Sequence, residues 1–154
     1  MLLGVSMATQ PKAPTILCVD DDLTGLRFRQ LILEANGYKV LVATSAQQGI
    51  EAFQSNPVDL VVADNLIGRA LGTDMAAALK RLRPRVPVVI LSGSSSPPEG
   101  MENADAFVCK SEGPEALLNQ IASLLASNHG NDAQARGTRR VIPERGGEMH
   151  RHEC

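Results

Sequence analysis

Four apolar runs of this chain end in side chains suited to charged oxygen chemistry. ThrIleLeuCysVal (15–19) runs into Asp20-Asp21-Asp22, ValAspLeuValValAla (58–63) into Asp64, ValProValValIleLeu (86–91) into Ser92-Gly93, and AlaPheValCys (106–109) into Lys110. Each alone is an ordinary strand-end residue, since Asp and Ser serve turns and helix caps. Brought to one rim they form a different object. Crowded carboxylates repel unless a cation shares them, and an all-oxygen acidic cup suits a hard ion such as Mg²⁺, which takes few protein ligands and keeps its waters. A lysine and a hydroxyl opposite would serve phosphoryl oxygens, and a carboxylate can itself accept a phosphoryl group covalently. All three histidines (His129, His150, His152) lie in the last stretch of the chain. The body therefore lacks an imidazole for a Ser-His or Cys-His pair or a histidine metal site.

The elements that must position these residues are legible from periodicity. Between the runs lie segments with helical spacing: Leu23 to Ala35 with Leu26, Leu31, Ile32 and Leu33, stopped by Asn36-Gly37; a helix capped by Ser45 with Ile50 and Phe53; and Gly72 to Arg83 with Met75, Leu79 and Leu82 as its inner stripe. A last helix opens at Pro114 and carries Leu117, Leu118, Ile121, Leu124 and Leu125. The strand runs are β-branched and lack inside/outside alternation, which predicts a parallel sheet covered on both faces. The fold class is thus a doubly wound α/β domain, whose ligands bind beyond the carboxyl ends of the strands. The Ser/Pro/Gly-rich stretch 94–100 leaves only a short turn of helix before Ala104.

With 154 residues, 44% hydrophobic and 21% charged, there is room for one globular domain. That domain is placed at 14–128, with an N-terminal extension (1–13) and a C-terminal tail (129–154) whose compositions predict disorder. His150, His152 and Cys154 have a metal-like spacing but no fourth ligand, so a solvated tail is preferred. A net charge of −2 gives no electrostatic reason to expect nucleic acid. The apolar runs fall short of the roughly 18 residues of a membrane span. Three cysteines make no disulfide framework, and a cytoplasmic setting is expected.

The order VDDD, VVAD, ILSG, FVCK at these intervals resembles a response-regulator receiver domain over roughly 14–128, in the manner of the single-domain chemotaxis-type regulators. The resemblance implies a flavodoxin-like sheet of order 2-1-3-4-5 and a phosphorelay role without conventional enzyme turnover. It implies Asp64 as phosphoacceptor and Mg²⁺ as cofactor, held by Asp21 and Asp64, by Asp20 through water, and by the backbone carbonyl of Leu66. It further implies that Ser92 and Lys110 bind the phosphoryl group, that Phe107 is a switch aromatic, and that Leu66 and Ser94 tune dephosphorylation. A sensor histidine kinase or phosphotransfer protein would donate the phosphoryl group, and an unnamed downstream protein would receive the signal. Three features depart from the family pattern. Ile67-Gly68 replace Met-Pro, the fourth helix is stunted, and Lys110-Ser111 replaces a Lys-Pro pair whose bond is cis. A non-proline cis bond costs about 3 kcal/mol, which favours trans here. Two other readings accompany this one: a phosphorylation-independent adaptor of the same fold, and a haloacid-dehalogenase-like phosphatase. The second reads Asp20-Asp21-Asp22-Leu23-Thr24 as Asp-x-Asp-x-Thr, with Asp20 as nucleophile and Asp22 as general acid/base.

Overall fold

Each apolar run becomes a strand because it is short, β-branched and bounded by turn residues. The computed structural model describes residues 12–135, with side chains as far as 128. The elements are β1 (Thr15–Val19), α1 (Leu23–Ala35), β2 (Lys39–Ala43), α2 (Ala46–Ser55), β3 (Leu60–Asp64), α3 (Gly72–Leu82), β4 (Val88–Ser92), β5 (Ala106–Cys109) and α4 (Pro114–Ala135). The strands form one parallel sheet in the order β2-β1-β3-β4-β5. This is the expected topology, and it sets β1 and β3 side by side with Val19 opposite Ala63.

Two apolar layers explain the missing alternation. Leu17, Val19, Val61, Ala63, Val88 and Ile90 face Phe53 of α2 and Met75, Ala76 and Leu79 of α3. Ile16, Cys18, Leu60, Val62, Val89 and Leu91 face Leu26 and Leu33 of α1 and Leu117, Ile121 and Leu125 of α4. Burial of one such Leu or Phe contributes about 1.5–3 kcal/mol, so both faces share in holding the sheet. At the start of α2 the Ser45 hydroxyl accepts from the Gln48 N–H at 3.1 Å, the cap the sequence predicts. At its end Arg83 donates to the carbonyls of Phe53 (2.6 Å) and Asn56 (3.2 Å) and stacks 4.5 Å from the Phe53 ring centroid.

Some details differ from the sequence reading. Leu31 and Leu82 are exposed. Leu31 sits on the outer side of a helix that buries positions 26 and 33, and Leu82 is the last residue of α3. The expected stunted helix is a single 3₁₀ turn, Met101–Asn103, entered through Gly100 at φ +87°. The last helix continues past Asn128 to Ala135, into the segment expected to be tail. Residues 1–11 and 136–154, which hold most of the two expected extensions and the His150/His152/Cys154 spacing, lie outside the described residues. Among the described residues, no helix is long and apolar enough to cross a membrane.

Cys18, free and buried in β1, has its thiol pushed up from 9.0 to about 12 by burial. The fold thus holds a proton that the unfolded chain releases above pH 9, so this contribution to stability is complete below pH 9 and is lost as pH rises toward 12. Urea melts at pH 8 and 10.5 should show a smaller alkaline loss for Cys18→Ala than for the parent chain. Equal losses would sink the assignment.

Candidate functional site

The parallel sheet delivers its strand ends to one rim, and the expected residues arrive there from β1, β3, β4 and β5. Asp20 follows β1 and is almost fully enclosed, its side chain only 2% exposed. Its Oδ1 accepts from the Asp22 N–H at 3.0 Å. Its Oδ2 is paired with the Arg29 guanidinium and stands 3.8 Å from Lys110 Nζ. Asp64 closes β3, and its Oδ1 lies 2.5 Å from Lys110 Nζ. The Asp64 Oδ2 accepts from the Leu66 N–H at 3.3 Å. One ammonium thus bridges the carboxylates of β1 and β3 from the far edge of the sheet.

Asp21 is exposed and joins the cluster by another route. Its Oδ2 accepts from the Gly68 N–H at 3.0 Å. Gly68 turns a two-residue antiparallel hairpin, Leu66–Ile67 against Ala70–Leu71, and takes φ +64°, a conformation open to glycine. Ile67-Gly68, the departure from the family's Met-Pro, therefore builds a tied hairpin on the rim. Leu66 itself is exposed on that hairpin. Behind it, Gly72 donates its N–H to the Asn65 carbonyl at 2.7 Å, which presses the start of α3 against the Asp64 backbone.

Ser92 ends β4, one residue beyond Leu91, the register partner of Asp64. It is buried, and its Oγ accepts from the Ser94 N–H at 3.1 Å. Ser94 is exposed and its own Oγ accepts from Ser96 N–H at 3.2 Å. Phe107 lies opposite Ile90 in register, and Ala106 and Val108 beside it pack into the α1/α4 layer. Alternation therefore turns Phe107 to the α2/α3 face. There the short 101–103 turn leaves it only half-buried. The Lys110–Ser111 bond is trans, and Lys110 opens a one-turn 3₁₀ helix to Glu112. The trans chain still carries Lys110 onto Asp64.

The donor set fits a hard cation: carboxylates of Asp20, Asp21 and Asp64 and the Leu66 carbonyl, all oxygen. Among the described residues no three His, Cys, Asp or Glu side chains converge on one point. A hard ion of this kind takes one or two carboxylates and completes its shell with carbonyl and water. The sequence reading missed Arg29. The signal was its place three residues after Leu26 and four before Leu33, on the face of α1 turned to the sheet.

Comparison with known proteins agrees with this fold. The family model described as "Response regulator receiver domain" matches residues 16–122. The transcriptional regulatory protein GlrR of Escherichia coli K12 is 30% identical over 118 residues, 74% of this chain and 27% of GlrR, so the chain spans about a quarter of that relative. Among solved structures, a response regulator receiver domain protein (CheY-like) from Methanospirillum hungatei is 28% identical, with a TM-score of 0.70 over 77% of this chain and 98% of that one. The response regulator TrrA of Thermotoga maritima, solved in complex with Mg(2+)-BeF, shares the fold at 23% identity, TM-score 0.68, over 72% of this chain and 98% of TrrA.

Proposed function

Because this chain belongs to the response regulator receiver family, we propose that Asp64 accepts a phosphoryl group from the phosphohistidine of a sensor kinase or phosphotransfer protein, in a Mg²⁺-dependent reaction. The observation that carries this reading is the contact of Lys110 Nζ with Asp64 Oδ1 at 2.5 Å, beside Asp20 and Asp21. An Asp64 oxygen attacks phosphorus in line. The new P–O bond forms as the P–N bond to the donor histidine breaks, and the ring nitrogen leaves with the electron pair. Lys110, already at the acceptor, then neutralises a phosphoryl oxygen. Asp21, Asp64 and the Leu66 carbonyl, with Asp20 through water, would hold Mg²⁺, which when bound supplies charge neutralisation between acceptor and phosphoryl oxygens. TrrA, of the same fold, was solved with Mg(2+)-BeF, which supports the cofactor.

After transfer the Ser92 hydroxyl turns to donate to a phosphoryl oxygen. Phe107, half-covered on the face of the missing helix, turns into the vacated space and changes the surface met by a downstream protein. Leu66 and Ser94 flank the approach of water and tune dephosphorylation, so the chain is an acceptor and not a turnover enzyme. The phosphatase reading is set aside. The family model that matches residues 16–122 is that of receiver domains, and the phosphatase reading would leave Asp64, in contact with Lys110, without a role. The expectation of no nucleic-acid partner is not retained either, since relatives such as GlrR are transcriptional regulators.

The test is incubation with acetyl phosphate or phosphoramidate, with Mg²⁺ or with EDTA, followed by intact mass and borohydride mapping of the acyl phosphate. One adduct on the Asp64 peptide, dependent on Mg²⁺, is the expected result. No adduct from either donor would overturn the reading and leave the adaptor.

A further inference from the structure

Asp20 carries a second cation that the phosphoryl chemistry does not call for. Arg29 lies on the sheet-facing side of α1, and its side chain, 13% exposed, reaches the strand ends to pair with Asp20 Oδ2. The other oxygen of Asp20 is held by the Asp22 N–H. Both oxygens of the most enclosed carboxylate are therefore engaged before any divalent cation arrives. Three carboxylates, Asp20, Asp21 and Asp64, face two fixed cations, Arg29 and Lys110. The set is left with one net negative charge, where a lysine alone would leave two.

The geometry points to Arg29 as a resident counter-ion that competes with the divalent cation for Asp20 and holds down the metal affinity of the site. This rests on the metal-dependent reading above. Arg29 acts twice: it occupies the Asp20 lone pairs, and it repels the incoming ion. Even at the dielectric of water, a unit positive charge within several ångströms of a dication opposes its binding by about a factor of ten. The low-exposure setting of the pair strengthens that opposition. Arg29 also gives the enclosed Asp20 a closer counter-charge than Lys110, at 3.8 Å, when no metal is bound.

The experiment uses Mn²⁺ as the probe, with the free ion counted by electron paramagnetic resonance and Mg²⁺ added in competition, on the full chain. Wild type, Arg29→Gln, Arg29→Met, Arg29→Lys and Asp21→Asn are compared, with circular dichroism as the check on folding. Arg29→Gln should bind Mn²⁺ about tenfold tighter than wild type. Arg29→Met, similar in length and uncharged, should do the same and stands in where the glutamine chain fails to fold. Arg29→Lys keeps the charge and should stay close to wild type, and Asp21→Asn should bind more weakly. Wild-type binding that Arg29→Gln and Arg29→Met leave unchanged or weaken overturns the counter-ion role alone. Equal tightening by Arg29→Lys also overturns it, because shape and not charge would then be the cause. Absence of binding in wild type and in the uncharged variants overturns the metal reading and the counter-ion together.

Discussion

Asp64→Asn is expected to abolish the phosphoryl adduct while leaving the chain folded. The amide keeps the shape of the carboxylate but has no anionic oxygen to attack phosphorus. The structural cost is small for two reasons. Lys110, 38% exposed, keeps its contact with water and with Asp20 at 3.8 Å when Asp64 loses its charge. Removal of one of three neighbouring carboxylates also relieves repulsion, which offsets the loss. Intact mass after acetyl phosphate treatment, run beside a urea melt, separates the two effects. Adduct formation at the wild-type rate would move the phosphoacceptor to another residue of the rim.

Gly72→Ala is the second large effect, and it acts on the backbone. A Cβ at Gly72 would stand 2.2 Å from the Asp64 carbonyl oxygen, 3.1 Å from its carbon and 3.2 Å from Asn65 Cα. These atoms are main chain and have no rotamer by which to move. The Gly72 N–H is bonded to the Asn65 carbonyl at 2.7 Å, so α3 cannot retreat without losing that bond. A loss of about 3 kcal/mol is expected, at the upper end of overpacking costs. Whatever folded chain remains should phosphorylate more slowly, because the displaced atoms belong to Asp64. Gly93→Ala is the control: its Cβ meets nothing within 4 Å, and its stability should match wild type within about 0.5 kcal/mol. A Gly72→Ala chain as stable as wild type in urea would refute the close approach.

Most of the frame was readable because its signals are local. Strand runs end where their β-branched residues end, Ser45 caps where a hydroxyl precedes a helical pattern, and Asp20, Asp21, Asp64, Ser92 and Lys110 declare themselves as polar residues after apolar runs. Contacts between distant segments were not readable. Gly72 stood out only as the start of a helical segment, and the carbonyl pressed against it is a property of packing. Gly68 read only as a departure from the family's Met-Pro, yet its amide ties the 66–71 hairpin to Asp21 and its positive φ makes the turn. Arg29 sits in a helix where charge ordinarily faces water. Only its register with Leu26 and Leu33 betrays the buried end. Leu31 shows the converse, an apolar residue at helical spacing that lies on the outer face.

The pairing of Asp20 with Arg29 and of Asp64 with Lys110 has a consequence during synthesis. Asp20 and Arg29 are nine positions apart in one βα unit. The deepest carboxylate can thus meet its counter-charge soon after that unit leaves the ribosome. Asp64 depends on a lysine from the outermost strand, which is made some seconds later at ribosomal speeds of ~5–20 residues per second. A nascent chain stalled before β5 would hold Asp20 already paired with Arg29 and Asp64 still without its lysine.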